Sequence, residues 1–142
     1  MKRTASAQWM GDLKQGKGTV STQSGVLKET PYSFTTRFEN GIGTNPEELI
    51  AAAHAGCFTM ALSATLGRAG FTPQKLSTQA TLSFEQVQGS WTITAVHLET
   101  SARIPNIGRD KFEEIAADAK ANCPVSRVLN AKITLDAKLE AA

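Results

Sequence analysis

Apolar and polar residues alternate through the N-terminal part of the chain, and the pattern changes at Asn45. Ala5, Ala7 and Trp9 alternate before Gly11-Asp12, Lys17 to Thr22 (KGTVST) makes a second short strand, and Ser24-Gly25 reads as a turn. Tyr32, Phe34, Thr36 and Phe38 then share one face of a longer strand. Ser33, Thr35 and Arg37 fall on the other face, because strand side chains alternate with period two. Asn40 to Gly43 (NGIG) closes this section.

From Asn45 the signals are those of a helix. Asn45 suits the N-cap, Pro46 the first helical position, and Glu48 completes an N-x-x-E pattern like a capping box, with Glu47 beside it near the positive end of the helix dipole. The run Leu49 to Leu66 (LIAAAHAGCFTMALSATL) is apolar nearly all round, which predicts a long buried central helix. A membrane span fits its length but not its details. Glu47 and Glu48 precede it, His54, Thr59, Ser63 and Thr65 interrupt it, and Gly67 ends it.

Two long strands follow, Ser77 to Phe84 and Trp91 to Ala102, with Gln88-Gly89-Ser90 as the hairpin turn. Phe112, Ile115, Ala116 and Ala119 then recur at helical spacing, and Cys123 falls on the same face, just before Pro124 breaks the helix. Ile133, Leu135, Ala137 and Leu139 make a last strand. This order predicts an α+β fold with a mainly antiparallel sheet. One thin sheet cannot cover an apolar helix on every side, so a homodimer is expected.

Composition narrows the function classes. The 142 residues fit a single domain spanning 1–142, large enough to fold without metal or disulfide staples. Fifteen Lys+Arg against 13 Asp+Glu, with no basic block, argues against nucleic acid or an anionic membrane as partner. Lys2 and Arg3 are followed by Thr4 to Gln8, which form no apolar signal core, so a cytoplasmic location is expected. Two cysteines, two histidines and no CxxC offer no strong metal site. In a reducing compartment a permanent staple is the weaker reading of Cys57 and Cys123, and a transient catalytic disulfide stays open.

Each candidate residue has a plain reading beside a chemical one. Cys57 is either a small buried hydrophobe or a reactive thiol. Near pH 7 an ordinary thiol is only a few per cent thiolate, and lowering its pKa by about two units takes about 2.7 kcal/mol. Cys57 lies about 16 Å along the helix from Pro46, beyond the reach of the dipole, so a cation is needed. Arg37 and Glu47, alone a solvated arginine and a first-turn acid, together suggest a guanidinium–carboxylate pair that favours a nearby thiolate. Glu47 and Cys57 stand about 15 Å apart along one helix and cannot share a site directly. Two such helices packed antiparallel through Ala51, Ala52, Ala53, Ala55 and Gly56 bring Glu47 of one chain level with Cys57 of the other, so active sites shared between subunits are expected.

The segment GTNPEELIAAAHAGC (Gly43 to Cys57), its continuation FTMALS, and NCPVSRVL around Cys123 resemble the OsmC/Ohr family of thiol-dependent hydroperoxide reductases, as do GKGTVST and PYSFTTRFE. The resemblance is closest to the osmotically inducible branch of that family. It implies an intertwined α+β homodimer with two interface sites. It also implies a peroxidase acting on organic hydroperoxides, and on hydrogen peroxide, in oxidative or osmotic stress defence. By this resemblance Cys57 is the peroxidatic cysteine, Cys123 the resolving one, Arg37 the activating arginine and Glu47 its carboxylate partner. A dithiol reductant is the implied partner, and no metal or organic cofactor is required. Two other classes remain open: a dimeric protein binding an apolar ligand, and a thiol hydrolase pairing Cys57 with His54. Phe58, Met60 and Ile104 are candidate pocket linings and equally good core residues.

Overall fold

The computed structural model describes all 142 residues, as six strands and four helices. The chain divides into two compact units, Met1–Leu49 and Ile50–Ala142.

The first unit is a three-stranded antiparallel sheet in the order β1 (Ala5–Met10), β2 (Lys17–Thr22), β3 (Thr30–Tyr32). Gly18 on β2 faces Trp9 of β1 and Tyr32 of β3, whose rings lie 5.5 Å apart between centroids. A Cβ at Gly18 would come within 2.6 Å of both rings, so only glycine lets them meet. The sheet ends earlier than the alternation predicts. Phe34–Phe38 is a short helix, α1, and not a continuation of the strand, so Arg37 lies in a helical turn. Ser33 explains the switch: its hydroxyl accepts from the Thr36 backbone N–H, and the Thr36 hydroxyl accepts from the Ser33 backbone N–H at 2.7 Å, a reciprocal cap. Phe34 and Phe38, one turn apart, then pack as a tilted pair, 4.9 Å between centroids.

Helix α2 runs Pro46–Arg68 and starts where Asn45 and Pro46 predict. The Asn45 side-chain oxygen accepts from the Glu48 backbone N–H at 2.8 Å. The Glu48 carboxylate does not close the box; it accepts from the Thr44 hydroxyl instead, at 2.8 Å. By length and composition alone α2 could cross a membrane. In the second unit its His54, Phe58, Leu62 and Leu66, spaced four apart, are wholly buried, and on the other side Ala52, Ala53, Gly56, Met60, Ser63 and Ala64 are exposed within one chain.

The second unit is built on a sheet in the order β4 (Lys75–Val87), β5 (Ser90–Arg103), β6 (Lys132–Glu140). The hairpin turn needs positive φ at two successive residues, and Gln88 (51°) and Gly89 (80°) supply it. β6 joins β5 in parallel, and the crossover between them holds α3 (Arg109–Asn122) and α4 (Pro124–Val128). The core packs Phe58, Leu62 and Leu66 of α2 with Val96, Leu98 and Ala102 of β5 and with Phe112, Ile115, Ala116 and Ala119 of α3. Cys123, the residue between α3 and α4, is buried in the same cluster.

Candidate active site

Two groups of the expected residues assemble, one in each unit. In the first, Arg37 in the last turn of α1 donates through Nε to Glu47 Oε1 at 2.8 Å. Asn45 steadies the pairing, since its side-chain amide donates to the Thr36 carbonyl at 2.9 Å and ties α1 to the start of α2. Glu47 is buried, and its Oε2 has no hydrogen-bond partner within the chain. Arg37 lies over the Phe38 ring, 5.4 Å from its centroid. A mainly apolar cavity of about 260 Å³ opens here, lined by Trp9, Leu13, Tyr32, Phe34 and Phe38 with Arg37 in its wall. Of the linings suggested from sequence, Phe58 and Ile104 are core, and Met60 is exposed. Alternation alone does not disclose this aromatic wall, because it predicts strand where α1 turns Phe34 and Phe38 together.

In the second group the two thiols meet. Cys57 is half-buried on α2 and Cys123 fully buried, and their Sγ atoms are 3.1 Å apart. That is about 1 Å longer than a disulfide bond. Either thiol can donate across this gap, and the groups at the start of α4 favour negative charge on Cys123. Burial pushes the Cys57 thiol up, and the adjacent Cys123 sulfur adds to the rise against the Val125 peptide N–H. Burial also acts to raise Cys123, but the Ser126 peptide N–H, the Cys57 thiol, the Ser126 hydroxyl and the Val125 peptide N–H together bring it below the usual thiol value. Within the second unit, then, nothing activates Cys57.

His54 does not pair with Cys57. Its Nε2 lies 2.7 Å from Ser126 Oγ on α4, its Nδ1 has no partner, and burial lowers its pKa so that the ring stays neutral. A Cys57–His54 hydrolytic pair therefore lacks its hydrogen bond. Sequence spacing alone did not disclose Ser126, which stands 72 residues from His54. One further group gathers metal-type donors, His97, Glu99 and Asp136, within 4.8 Å of one another. His97 is already engaged there by Thr134 Oγ1 at 2.6 Å and Asp136 Oδ2 at 3.1 Å.

Comparison with known proteins identifies the family. The family described as OsmC-like protein matches residues 39–138. The chain is 54% identical over 138 residues to Peroxiredoxin OsmC of Escherichia coli (strain K12), covering 97% of this chain and 96% of that one. It is 28% identical over 124 residues to the organic hydroperoxide resistance protein OhrB of Bacillus subtilis (strain 168), covering 87% of this chain and 88% of that one. A solved OsmC-like protein of unknown function from Vibrio cholerae superposes with a TM-score of 0.76 at 14% identity, over 96% of this chain and 99% of that one, which supports the α+β fold. With a matched segment that takes in Glu47, Cys57 and Cys123, and a near relative along almost its whole length, the chain belongs to the OsmC family.

Proposed function

We propose that this protein is a thiol-dependent peroxidase that reduces organic hydroperoxides, and hydrogen peroxide, in stress defence. The observation that carries the reading is the 3.1 Å approach of a half-buried Cys57 to a fully buried Cys123. Cys57 is partly open to solvent within one chain, whereas Cys123 is fully buried behind the surface. The printed names of the relatives, a peroxiredoxin and an organic hydroperoxide resistance protein, support the same chemistry.

The Cys57 thiolate attacks the near peroxide oxygen and the O–O bond breaks. The alkoxide takes a proton to leave as alcohol, and Cys57 becomes a sulfenic acid. The Cys123 thiolate then attacks the Cys57 sulfur, the S–S bond forms, and hydroxide leaves to become water. An external dithiol reduces the disulfide by exchange. Because burial raises the Cys57 thiol, the first step needs a cation, and Arg37 held by Glu47 is our candidate. The same guanidinium stabilises charge developing on the peroxide oxygen, and the aromatic cavity beside it suits an apolar substituent.

The working unit in this reading is an intertwined homodimer with shared sites. Ala52, Ala53 and Gly56 form an open small-residue face on α2, and every residue of the edge strand β1 is exposed within one chain. Glu47 and Cys57 lie about 15 Å apart along α2, which favours pairing Arg37 and Glu47 of one subunit with Cys57 of the other. A cytoplasmic location suits free cysteines that must be reduced each cycle.

The test is consumption of cumene hydroperoxide with a dithiol reductant by wild type, Cys57→Ser and Cys123→Ser. Turnover by wild type and its loss in Cys57→Ser are expected. No turnover by wild type, or an unimpaired Cys57→Ser, overturns the reading.

A further inference from the structure

One side chain, Asn45, is bonded to both helices that carry the Arg37–Glu47 pair. Its Oδ1 accepts from the Glu48 backbone N–H at 2.8 Å, and its Nδ2 donates to the Thr36 carbonyl at 2.9 Å. Capping α2 needs only the first of these bonds. The second reaches back nine residues, to the peptide that joins Thr36 to Arg37. Together they fix which way the amide faces, since turning it over would set oxygen against carbonyl and N–H against N–H.

The second bond lands where α1 needs it. A helix of five residues leaves its last carbonyls without partners inside the helix, and Asn45 supplies one to Thr36. At its start α1 is held by the Ser33–Thr36 cap. After it comes an irregular loop, and Thr44 then returns to the Pro31 carbonyl through its backbone N–H at 2.9 Å. That bond places the loop, not the guanidinium. Nor can the ion pair align itself: the Arg37 side chain is 39% exposed, and a pair this open to water contributes too little to hold two segments in register.

We propose that Asn45 is a positioning residue for the oxidation of Cys57: by clamping α1 onto the start of α2 it holds the Arg37 guanidinium on Glu47, in the orientation that favours the thiolate. This rests on the peroxidase reading, in which Arg37 is the activating cation. In that step the Cys57 thiolate attacks the near peroxide oxygen, the S–O bond forms as the O–O bond breaks, and the alkoxide takes a proton and leaves as alcohol. The sulfur is oxidised and the peroxide reduced. Asn45 touches none of the reacting atoms and acts through Arg37.

Three substitutions separate the clamp from the cap. Asn45→Asp and Asn45→Ser keep an N-cap oxygen and lose the amide donor, whereas Asn45→Ala loses both. Fully reduced proteins are mixed with cumene hydroperoxide, and loss of the Cys57 thiol is timed by rapid quenching and mass spectrometry, with thermal midpoints measured alongside. Asn45→Asp and Asn45→Ser are expected to melt near wild type yet oxidise Cys57 about fivefold more slowly at pH 7, because the guanidinium is displaced and not removed. Asn45→Ala should show the same slowing and a lower midpoint. Because Asn45 acts through Arg37, Asn45→Ser combined with Arg37→Ala should be no slower than Arg37→Ala alone. A wild-type rate in either Asn45→Asp or Asn45→Ser leaves Asn45 as a cap only and overturns the proposal, and so does slowing that adds in full to that of Arg37→Ala. A wild type whose Cys57 is not oxidised overturns the peroxidase reading itself.

Discussion

Cys123 Sγ lies 3.1 Å from Cys57 Sγ although the residues are 66 positions apart in the chain. Two features bring them together. Pro124 ends α3 and starts α4, so Cys123 sits at a corner and not within a helix. Phe112, Ile115, Ala116 and Ala119 bury the face of α3 that leads to this corner against the cluster that includes Phe58, the neighbour of Cys57 on α2. The start of α4 then lowers the Cys123 thiol, and burial raises Cys57. In the proposed cycle this suits the buried cysteine to resolve and leaves the accessible one in need of a cation.

Replacing Cys123 with serine should leave the first turnover intact and block the second. Mass spectrometry after excess peroxide should find Cys57 as sulfinic acid in Cys123→Ser and as a disulfide in wild type. Equal sulfinic acid in both proteins would remove Cys123 from the resolving role.

Arg37→Ala should slow Cys57 oxidation at pH 7 by about tenfold or more, because the thiol that burial raises then lacks the cation that favours its thiolate. Arg37→Lys should recover only part of the rate, because an ammonium cannot both hold Glu47 and present a planar fork. Stopped-flow measurement of the first oxidation checks this. An unchanged rate in Arg37→Ala would leave Cys57 activated by some other group.

Glu47→Gln and Cys57→Ser proteins, each weak or inactive alone, should recover activity when mixed subunits form heterodimers. Shared sites give each heterodimer one position with both an intact Glu47 and an intact Cys57. Peroxide consumption after subunit exchange reads the recovery. Persistently inactive mixtures with confirmed heterodimers would place both residues of a site on one chain.

His54 also makes stability depend on pH. Its pKa in the folded chain lies below the ordinary value of 6.5. As pH falls through 6.5 the unfolded chain takes up the proton first, so stability is full above that pH and declines toward the lower folded value. Thermal midpoints measured from pH 8 to about pH 5 should fall on the acid side, and His54→Gln should flatten that fall. Parallel curves would assign the acid loss to other groups.

The parts legible in the sequence are those set by local signals. Asn45 and Pro46 mark the start of α2, Gln88-Gly89 the hairpin turn, and Pro124 the break at Cys123. Two elements are missed: α4, a short helix after the Pro124 break, and α1, where Tyr32, Phe34, Thr36 and Phe38 stand in strict alternation, and alternation over so few residues cannot be told from an i,i+4 aromatic pair. Ser33 and Thr36 held the missing signal, a cap closed by a threonine instead of the usual Glu or Gln. The Arg37–Glu47 pair was nevertheless readable, since it needs only the two charges. The bond between His54 and Ser126 was not, because it joins α2 to α4 across 72 residues and depends on tertiary packing.

The most direct measurement is a single turnover: fully reduced protein, one equivalent of cumene hydroperoxide per chain and no external reductant, followed by peptide mapping and alcohol analysis. The expected result is one equivalent of cumyl alcohol, the loss of both thiols, and one disulfide joining Cys57 to Cys123. Peroxide left unconsumed, or alcohol formed with both cysteines still reduced, would contradict it.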